Sequence, residues 1–489
     1  MGAPERSARK AAQYLFFGGI ASKTVTFFGA IATARILSPE DYGYNLSITI
    51  VAGFLGILSF NGFETYFVQK RDIQPSEEKK ILGNVFFLRI IQNLILFGLH
   101  LILATYLHRG DPVLGNMLYI TSLVHLFGII GKPSEAVLAK EFNFKPVVKS
   151  NLLRDILGVA TRLSCALAGL GAYSFAIALV VGNMIRQVFL FVSNKTKARI
   201  QAEMKIVKPI FSFGGAVILG SLGNFVKTYS DKVILASFYP KAQVGLFDFA
   251  RVQSDVVNTY LLYPQNGLVL SYLSKHKSSK EKIDNLFDSI GVVVSFVFFP
   301  IFMAFYFCMD FLVPFVFGEE WTQAIPFFKV FIIYGAHVSI VYPSQGILTS
   351  LGKPQIKTKI TIGFTLISIL ALCFIAYYGY DLIYFAITYL VMSIVSDQVL
   401  LFVSLKRIGY SIKTFFKTRF SAWLLYAMIL VLMLALQYVK LEMSAVLFIP
   451  ILTFLYIRVM AKERFLNAIV VFLGANSKAA SFIRKVLSA

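Results

Sequence analysis

Residues 81–106 read ILGNVFFLRIIQNLILFGLHLILATY, an apolar run that contains a single charged side chain, Arg89. A bilayer core about 30 Å thick is crossed by roughly 20 helical residues, so this run can span a membrane as one helix. A span surrounded by lipid must satisfy its own backbone hydrogen bonds, which an α-helix does and a lone strand does not. The stretch therefore predicts a helical, membrane-embedded fold.

Runs of this kind recur along the whole chain of 489 residues, of which 57% are hydrophobic. No strand-like alternation competes with them over comparable lengths. We predict an all-α integral membrane protein with about fourteen transmembrane helices. The approximate spans are 11–36, 42–63, 81–106, 113–131, 147–168, 172–193, 210–231, 244–272, 285–308, 324–351, 357–377, 382–405, 417–437 and 441–459.

The basic residues between the spans indicate the topology. Lys and Arg are concentrated at the N-terminus, in every second gap and in the tail, while the other gaps hold very few. This asymmetry predicts both termini in the cytoplasm, and the dispersal of the +22 formal charge into short loops argues against a nucleic-acid partner. The outer loops are too short for a catalytic domain. The tail from Lys462 to Ala489 is predicted to lie on the membrane as an amphipathic helix, with a disordered tail as the alternative.

Two short similarities suggest an internal duplication. Residues 39–44 resemble residues 240–246, and residues 133–138 resemble residues 343–348, at offsets of about 200 to 210 residues counted on the sequence. An even number of helices in each repeat makes both halves enter the membrane from the same side, as parallel repeats do. The predicted domains are a first six-helix lobe (1–205), a second six-helix lobe (206–405), and two further helices with the tail (406–489).

Cations inside the spans are the strongest indication of function. A basic side chain at the bilayer centre costs at least about 2.5 kcal/mol by insertion scales. Snorkelling to the headgroups accounts for Lys149 and Lys329, and is left open for Arg35 and Arg162. Lys23 lies about a dozen residues from either end of its span, roughly 18 Å, which is beyond the reach of its side chain.

Some of these cations have acidic neighbours in sequence. Two pairs are four residues apart on one helical face, Lys227 with Asp231 and Arg251 with Asp255. Arg154 precedes Asp155, but adjacent helical positions diverge, so this pair is doubtful. The cations without a local acid are Lys23, Arg89 and Arg186.

Most of the cations lie in the first half, which favours a basic cavity for an anionic substrate such as a phosphate or pyrophosphate. The predicted substrate-binding residues are Lys23, Arg35, Arg89, Arg154, Arg186, Lys227 and Arg251. The candidates for a coupling ion, Na⁺ or H⁺, are Asp231, Asp255 and Asp397. Asp397 has no partner in sequence, and a protonated carboxyl or one paired across helices is the alternative to an ion site.

No Walker A, metal-binding or nucleophile-elbow sequence is present. We therefore predict a transporter with no catalytic residue, metal site or cofactor.

Several motifs resemble those of Wzx-type polysaccharide flippases of the multidrug/oligosaccharidyl-lipid/polysaccharide (MOP) exporter superfamily. They are Ala34-Arg35-Ile36-Leu37-Ser38-Pro39-Glu40-Asp41-Tyr42-Gly43, Phe67-Val68-Gln69-Lys70-Arg71-Asp72, Tyr229-Ser230-Asp231-Lys232, Gly245-Leu246-Phe247-Asp248-Phe249-Ala250 and Phe317-Gly318-Glu319-Glu320-Trp321. The resemblance implies two lobes that alternate access without ATP in a bacterial or archaeal cytoplasmic membrane. It also implies an oligosaccharide carried on a polyprenyl pyrophosphate, for exopolysaccharide or lipopolysaccharide assembly, with a polysaccharide polymerase and export machinery as partners.

The resemblance also suggests roles for particular residues. By approximate position, Lys23, Arg35 and Arg251 correspond to the first-lobe cations of related peptidoglycan-precursor flippases, and Asp231 lies near a family sodium site. Two alternatives remain at this point. One is a cation-coupled multidrug antiporter of the same superfamily, and the other is a membrane polysaccharide polymerase or ligase, which the short outer loops disfavour.

Overall fold

The computed structural model describes residues 3–59, 62–70, 73–194, 196, 199–262, 272–273, 279–341, 346–438, 448–458, 463 and 465–468. Within these residues the regular elements are all helices, and no strand is formed. Among the described residues, eight helical segments are long and apolar enough to cross a membrane, and a ninth is added if two consecutive helices form one broken span. The predicted all-α membrane fold is confirmed, and the number of about fourteen spans stays a prediction.

The chain divides into two compact units at Asp248 and Phe249. The helices of the first unit are α1 (Ala3–Ala34), α2 (Pro39–Leu58), α3 (Gly62–Gln69), α4 (Pro75–His108), α5 (Pro112–Ser122), α6 (Val124–Lys140), α7 (Phe144–Leu167), α8 (Tyr173–Ser193) and α9 (Met204–Phe238). Helix α10 (Lys241–Ser254) begins in the first unit and ends in the second.

The second unit continues with a π-helical turn, Asn258–Leu262, and then α11 (Lys280–Val293), which runs through a second π-turn at Val294–Phe298 into α12 (Phe299–Phe317). A 3₁₀ turn, Glu319–Ala324, leads into α13. The remaining helices are α13 (Ile325–Val341), α14 (Ile347–Ser350), α15 (Pro354–Tyr377), α16 (Leu382–Arg407), α17 (Ile412–Tyr438) and α18 (Phe448–Tyr456).

The predicted lobe boundaries at residues 205 and 405 follow from the proposed sequence repeat, and they stay a prediction. Helix α9, the first helix of the proposed second repeat, packs on α2, α3 and α4. The first compact unit therefore extends beyond six helices. Part of the second similarity, residues 343–345, and most of the predicted amphipathic tail lie outside the described residues.

Helices α1 and α7 run parallel and in close contact. A methyl group at Gly18 would lie 2.1 Å from Val148 Cγ1, and one at Gly29 would lie 2.5 Å from Val159 Cγ2. From the first contact to the second, the residue numbers rise by the same amount in both helices, so the helices point the same way. This direction is the one expected for the first and fifth spans of the predicted topology.

The motif at residues 38–43 starts α2 and fits it against α10. Ser38 and Asp41 form a capping box: the Asp41 N–H donates to Ser38 Oγ at 3.3 Å, and the Ser38 N–H donates to Asp41 Oδ2 at 2.9 Å. One turn into the helix, a methyl group at Gly43 would lie 2.0 Å from the Lys241 carbonyl oxygen. A side chain larger than hydrogen is excluded there.

The motif at residues 317–321 ends α12. Gly318 adopts φ +110°, a conformation that glycine reaches without strain, and it stops the helix. The chain then turns so that the fully buried Trp321 lies with its ring centroid 3.9 Å from that of Phe249. Phe317 packs edge-on against the same Phe249 ring. The motif therefore anchors the α12–α13 connection to the second half of α10.

Candidate functional site

Two close helix contacts bring polar side chains of α6, α7 and α8 together. A methyl group at Gly131 of α6 would lie 1.9 Å from Gln187 Oε1 of α8. A methyl group at Gly182 of α8 would lie 3.0 Å from the Arg154 carbonyl oxygen of α7. Because these glycines let α8 approach both neighbours, Arg186 reaches side chains on α6 and α7.

Arg186 is paired across helices. Its Nη2 donates to Glu135 Oε1 of α6 at 2.8 Å, and its Nε donates to Asn151 Oδ1 of α7 at 2.8 Å. The Arg186 side chain is 13% exposed and the Glu135 side chain 33% exposed. The pair is therefore open on the carboxylate side, where another anion can approach the guanidinium.

Arg89 is enclosed. Its guanidinium makes two parallel hydrogen bonds to the Glu64 carboxylate of α3, through Nε at 2.7 Å and through Nη2, and Nη1 donates to Gln92 Oε1. The Phe63 ring covers it at 5.7 Å, and the whole residue is 0% exposed. A ligand therefore has no access to this guanidinium. In this structure Arg89 holds α3 on α4, and its predicted contact with substrate stays a prediction.

Lys132 of α6 joins these two ion pairs. Its Nζ donates to Ser59 Oγ at 3.1 Å, and its charge acts on both carboxylates and both guanidinium groups. We call these five groups the charge cluster: Glu64, Arg89, Lys132, Glu135 and Arg186. The charge cluster thus contains three basic and two acidic side chains.

Lys23 and Arg154 flank the contact between α1 and α7. At its centre, Ser22 Oγ donates to Asp155 Oδ2, and Arg154 Nε donates to Asp155 Oδ1 at 2.8 Å. The doubtful pair of adjacent residues therefore does form, and Asp155 is buried against α1. Lys23 is exposed, and its ammonium has no ion-pair partner among the residues that the structure describes.

The structure decides the first of the two predicted pairs one turn apart. Asp231 is buried, while Lys227 is exposed and makes no ion pair within the described ranges, so the Lys227–Asp231 pair is not formed. Asp255 accepts hydrogen bonds from Asn258 Nδ2 and Thr259 Oγ1, both at 3.3 Å.

Three further cations singled out in the sequence have their own surroundings. Arg35 is exposed near the end of α1, and Arg251 is half-buried in α10. Lys329, attributed to snorkelling, instead donates to Asp310 Oδ2 at 2.7 Å.

Asp397, the third predicted ion-coupling carboxylate, lies in the second unit beside an apolar cavity. His337 Nε2 of α13 is 4.0 Å from Asp397 Oδ2 of α16, and both side chains are largely buried. His337 also lines a cavity of about 680 Å³ together with residues such as Phe302, Tyr306 and Trp423. This separation is too long for a hydrogen bond, so an ion site and a carboxyl paired across helices both stay open for Asp397.

Sequence reasoning missed three members of the charge cluster. Lys132 and Glu135 follow the predicted end of the fourth span, and Glu64 follows the predicted end of the second, so all three counted as loop residues. It also missed Arg419 of α17, which is buried and donates to the Phe287 carbonyl oxygen at 2.9 Å. The polar residues just beyond each apolar run were the available signal, because the helices continue past those runs.

Comparisons with known proteins agree with this architecture. The succinoglycan biosynthesis transport protein ExoT of Rhizobium meliloti (strain 1021) is 23% identical over 315 residues, 63% of this chain and 63% of ExoT. The match thus spans just under two thirds of that relative. The lipopolysaccharide biosynthesis protein WzxC of Escherichia coli (strain K12) is 20% identical over 352 residues, 69% of each chain.

Solved structures share the fold at low sequence identity. The lipid II flippase MurJ, in its inward closed conformation, superposes with a TM-score of 0.69 at 14% identity, over 92% of this chain and 98% of the MurJ chain. An inward-facing multidrug resistance MATE family transporter of the MOP superfamily gives a TM-score of 0.56 at 14% identity, over 79% of this chain and 94% of that chain. The likenesses establish the fold.

A family model described as "Polysaccharide biosynthesis protein" matches residues 32–326, more than half of the chain. The match includes α2 to α8 with the whole charge cluster, and the motifs at residues 34–43 and 317–321 on which the resemblance depends. This chain belongs to the polysaccharide biosynthesis protein family and has the fold of the MOP superfamily transporters.

Proposed function

We propose that this protein is a flippase that moves a lipid-linked oligosaccharide across the cytoplasmic membrane by alternating access, and that it is not an enzyme. The observation that carries the proposal is the charge cluster, in which three cations and two carboxylates lie on membrane helices of the first unit. Basic side chains within a bilayer are costly and commonly mark the path of an anionic substrate. Relatives named for succinoglycan transport, lipopolysaccharide biosynthesis and lipid II flipping support the same class of substrate.

The head group is proposed to be a pyrophosphate that bears the oligosaccharide. Arg186 binds it by exchanging Glu135 for a phosphate oxygen, since a guanidinium donates equally well to carboxylate and phosphate. Arg89 stays paired with Glu64 and holds the site in shape. Lys23, Arg35, Arg154, Lys227 and Arg251 remain proposed contacts for the head group as it moves, and among them Lys23 and Lys227 have ammonium groups with no ion pair in the described part of the chain.

The polyprenyl tail is proposed to stay in the lipid beside α17 and α18. Trp423 and Ala427 of α17 line the apolar cavity of the second unit, so this helix already offers an apolar surface. Both termini are proposed to face the cytoplasm, as the distribution of basic residues predicts. A polysaccharide polymerase and export machinery are proposed partners. Na⁺ or H⁺ coupling through Asp231, Asp255 or Asp397 remains part of the proposal.

Export of polymer in cells tests the function. A strain that lacks its own flippase is complemented with the wild-type gene, Arg186→Ala or Lys23→Ala, and surface polysaccharide is measured beside protein level in the membrane. Lys149→Ala, which removes an exposed cation near the cytoplasmic end of α7, is the matched control. We expect normal export with the control and loss of export with the other two at equal protein levels. Full export by both site variants would contradict the site.

A drug-efflux assay distinguishes the runner-up function. The likeness to MATE transporters and the Asp397 carboxylate beside an apolar cavity are the features that suit a lipophilic cation. Cells that express this protein should gain no resistance to cationic drugs. Resistance that depends on Asp397, without complementation of polymer export, would replace the flippase proposal.

A further inference from the structure

A buried histidine and a half-buried histidine on adjacent membrane helices form a hydrogen-bonded pair. His100 Nδ1 of α4 and His125 Nε2 of α6 are 3.1 Å apart, and Thr121 Oγ1 of α5 is 3.2 Å from the other nitrogen of His100. His100 is 3% exposed. We call these two residues the histidine pair. The transport mechanism above makes no use of it.

The helices are built to bring these rings together. A methyl group at Gly128 of α6 would lie 2.9 Å from Asn93 Oδ1 of α4, so α4 and α6 approach closely one turn from His125. Helix α5 ends at Ser122 and α6 begins at Val124. The histidine pair and Thr121 therefore tie α4 to both sides of the break between α5 and α6.

The arrangement satisfies hydrogen bonds both with and without one added proton. With both rings neutral, one N–H···N bond joins them, and the Thr121 hydroxyl donates to His100 Nε2. With His100 protonated, both of its nitrogens donate, one to His125 Nε2 and one to Thr121 Oγ1, while the Thr121 hydroxyl turns to the Leu118 carbonyl oxygen at 3.2 Å. A second proton would make donors of both facing nitrogens and break the bond between the rings. The pair is thus built to hold one added proton.

Lys132 connects the histidine pair to the charge cluster. It follows His125 by seven residues on the same face of α6, about 10 Å along the axis, and its charge acts on the His125 imidazole. Among the described residues, three titratable groups act on the histidine pair, namely its own two rings and Lys132. The other four members of the charge cluster act in turn on Lys132. A change of charge on the histidine pair therefore changes the electrostatic potential at the charge cluster, and the reverse also holds.

We propose that the histidine pair is a proton-binding site coupled to the anion site at the charge cluster, so that one proton on the pair and an anionic head group on the cluster favour each other. The anion half of this statement rests on the proposed function. Coupling of this kind is reciprocal: the proton tightens head-group binding by the same factor by which the head group tightens proton binding. At the separation of Lys132 from His125, about 10 Å, one unit charge changes affinity on the order of tenfold for an effective dielectric constant of about 20, which sets the size of effect that we expect.

The test is binding of farnesyl pyrophosphate, a short prenyl pyrophosphate, to the full-length protein in nanodiscs between pH 4.5 and 8. The proteins compared are wild type, His125→Gln, Thr121→Val and the control His108→Gln, which changes another histidine of α4. Farnesyl pyrophosphate itself changes protonation over this pH range. Its effect cancels when the wild-type affinity is divided by the variant affinity at the same pH. We expect the ratio to rise on the order of tenfold as pH falls for His125→Gln, to rise less for Thr121→Val, and to stay flat for His108→Gln.

Histidine-selective ¹⁵N labelling supplies a readout independent of transport, because the chain has only five histidines. We expect an imidazolium signal that disappears in His100→Gln and that persists to higher pH when farnesyl pyrophosphate is added. Binding with the same pH profile in wild type and His125→Gln would overturn the coupling alone. Absence of binding at every pH would overturn the proposed function, and the coupling with it.

Discussion

Gly43 of α2 lies against the backbone of Lys241 at the start of α10, and Gly245 of α10 lies against the backbone of Pro39 at the start of α2. A methyl group at Gly43 would be 2.0 Å from the Lys241 carbonyl oxygen, and one at Gly245 would be 1.8 Å from the Pro39 carbonyl oxygen. The contact is therefore reciprocal between the two segments whose sequences resemble each other at an offset of about 201 residues. Such reciprocity is in keeping with the predicted duplication, which itself stays a prediction.

Replacing either glycine should destabilise the protein. Gly43→Ala and Gly245→Ala each force a methyl group into backbone atoms, and overpacking of this kind costs about 1–3 kcal/mol. Gly56→Ala, in the same helix α2 with no atom near its added methyl group, gains helix propensity and should be neutral or stabilising. Thermal unfolding of the purified proteins, followed by tryptophan fluorescence, measures the difference. Equal midpoints for Gly43→Ala and Gly56→Ala would show that the contact is not tight.

Substitution of Arg89 should mainly lower stability, whereas substitution of Arg186 should mainly impair transport. Arg89→Ala leaves the Glu64 carboxylate buried without its guanidinium, which costs about 3–5 kcal/mol, whereas the double variant with Glu64→Ala should recover part of that loss. Arg186→Ala opens a partly exposed pair and should cost much less stability while abolishing export. Unfolding midpoints and polymer export are measured on the same set of variants. An Arg89→Ala protein as stable as wild type would remove the structural role assigned to it.

The parallel arrangement of α1 and α7 can be checked by cross-linking. With the native cysteines replaced, Gly18→Cys together with Val148→Cys should form a disulfide, because a Cβ at Gly18 would lie 3.3 Å from Val148 Cβ. Gly19→Cys with Val148→Cys is the control, since nothing lies within 4 Å of a Cβ at Gly19. Mass spectrometry of the oxidised proteins reads out the bond. Equal yields from both pairs would mean that α1 is rotated or mobile against α7.

Stability at high pH should depend on Tyr410, which lies between α16 and α17. Burial, together with the hydrogen bond that its hydroxyl donates to Asp288, raises the pKa of Tyr410 to about 12. An unfolded tyrosine titrates near pH 10, so the stabilisation is complete below about pH 10 and is lost as pH rises toward 12. Tyr410→Phe should lower stability at pH 8 and flatten its fall between pH 10 and 12, while the exposed Tyr378→Phe should change neither. Unfolding midpoints across this pH range give the comparison.

The fold was predictable because apolar length, charge asymmetry and cap residues are local properties of the sequence. The predicted second span begins at residue 42, and the observed helix α2 begins at Pro39, after a capping box of Ser38 and Asp41. The charge cluster was not predictable in the same way. Glu64 meets Arg89 across 25 residues and Arg186 meets Glu135 across 51, and no local pattern encodes a partner on another helix.

The predictions that failed share a physical reason. Asp155 was discounted as a partner of Arg154 because neighbouring helical positions diverge, yet the long arginine side chain bends back along α7 to reach it. Lys227 and Asp231 have the right spacing but different surroundings, one exposed and the other buried. Sequence spacing gives the positions of Cβ atoms, whereas the pairing depends on where the neighbouring helices place solvent, lipid and competing partners.

Helix α7 carries Lys145, Lys149, Arg154, Asp155 and Arg162, and it is not among the eight segments apolar enough to cross a membrane by themselves. Such a segment partitions poorly from the translocon into lipid during synthesis. It gains its Ser22 contact from a helix made earlier, whereas α8, which covers one of its faces, is synthesised later. A nascent chain that stops after α7 should therefore leave that segment outside the bilayer, and extension through α8 should draw both in together.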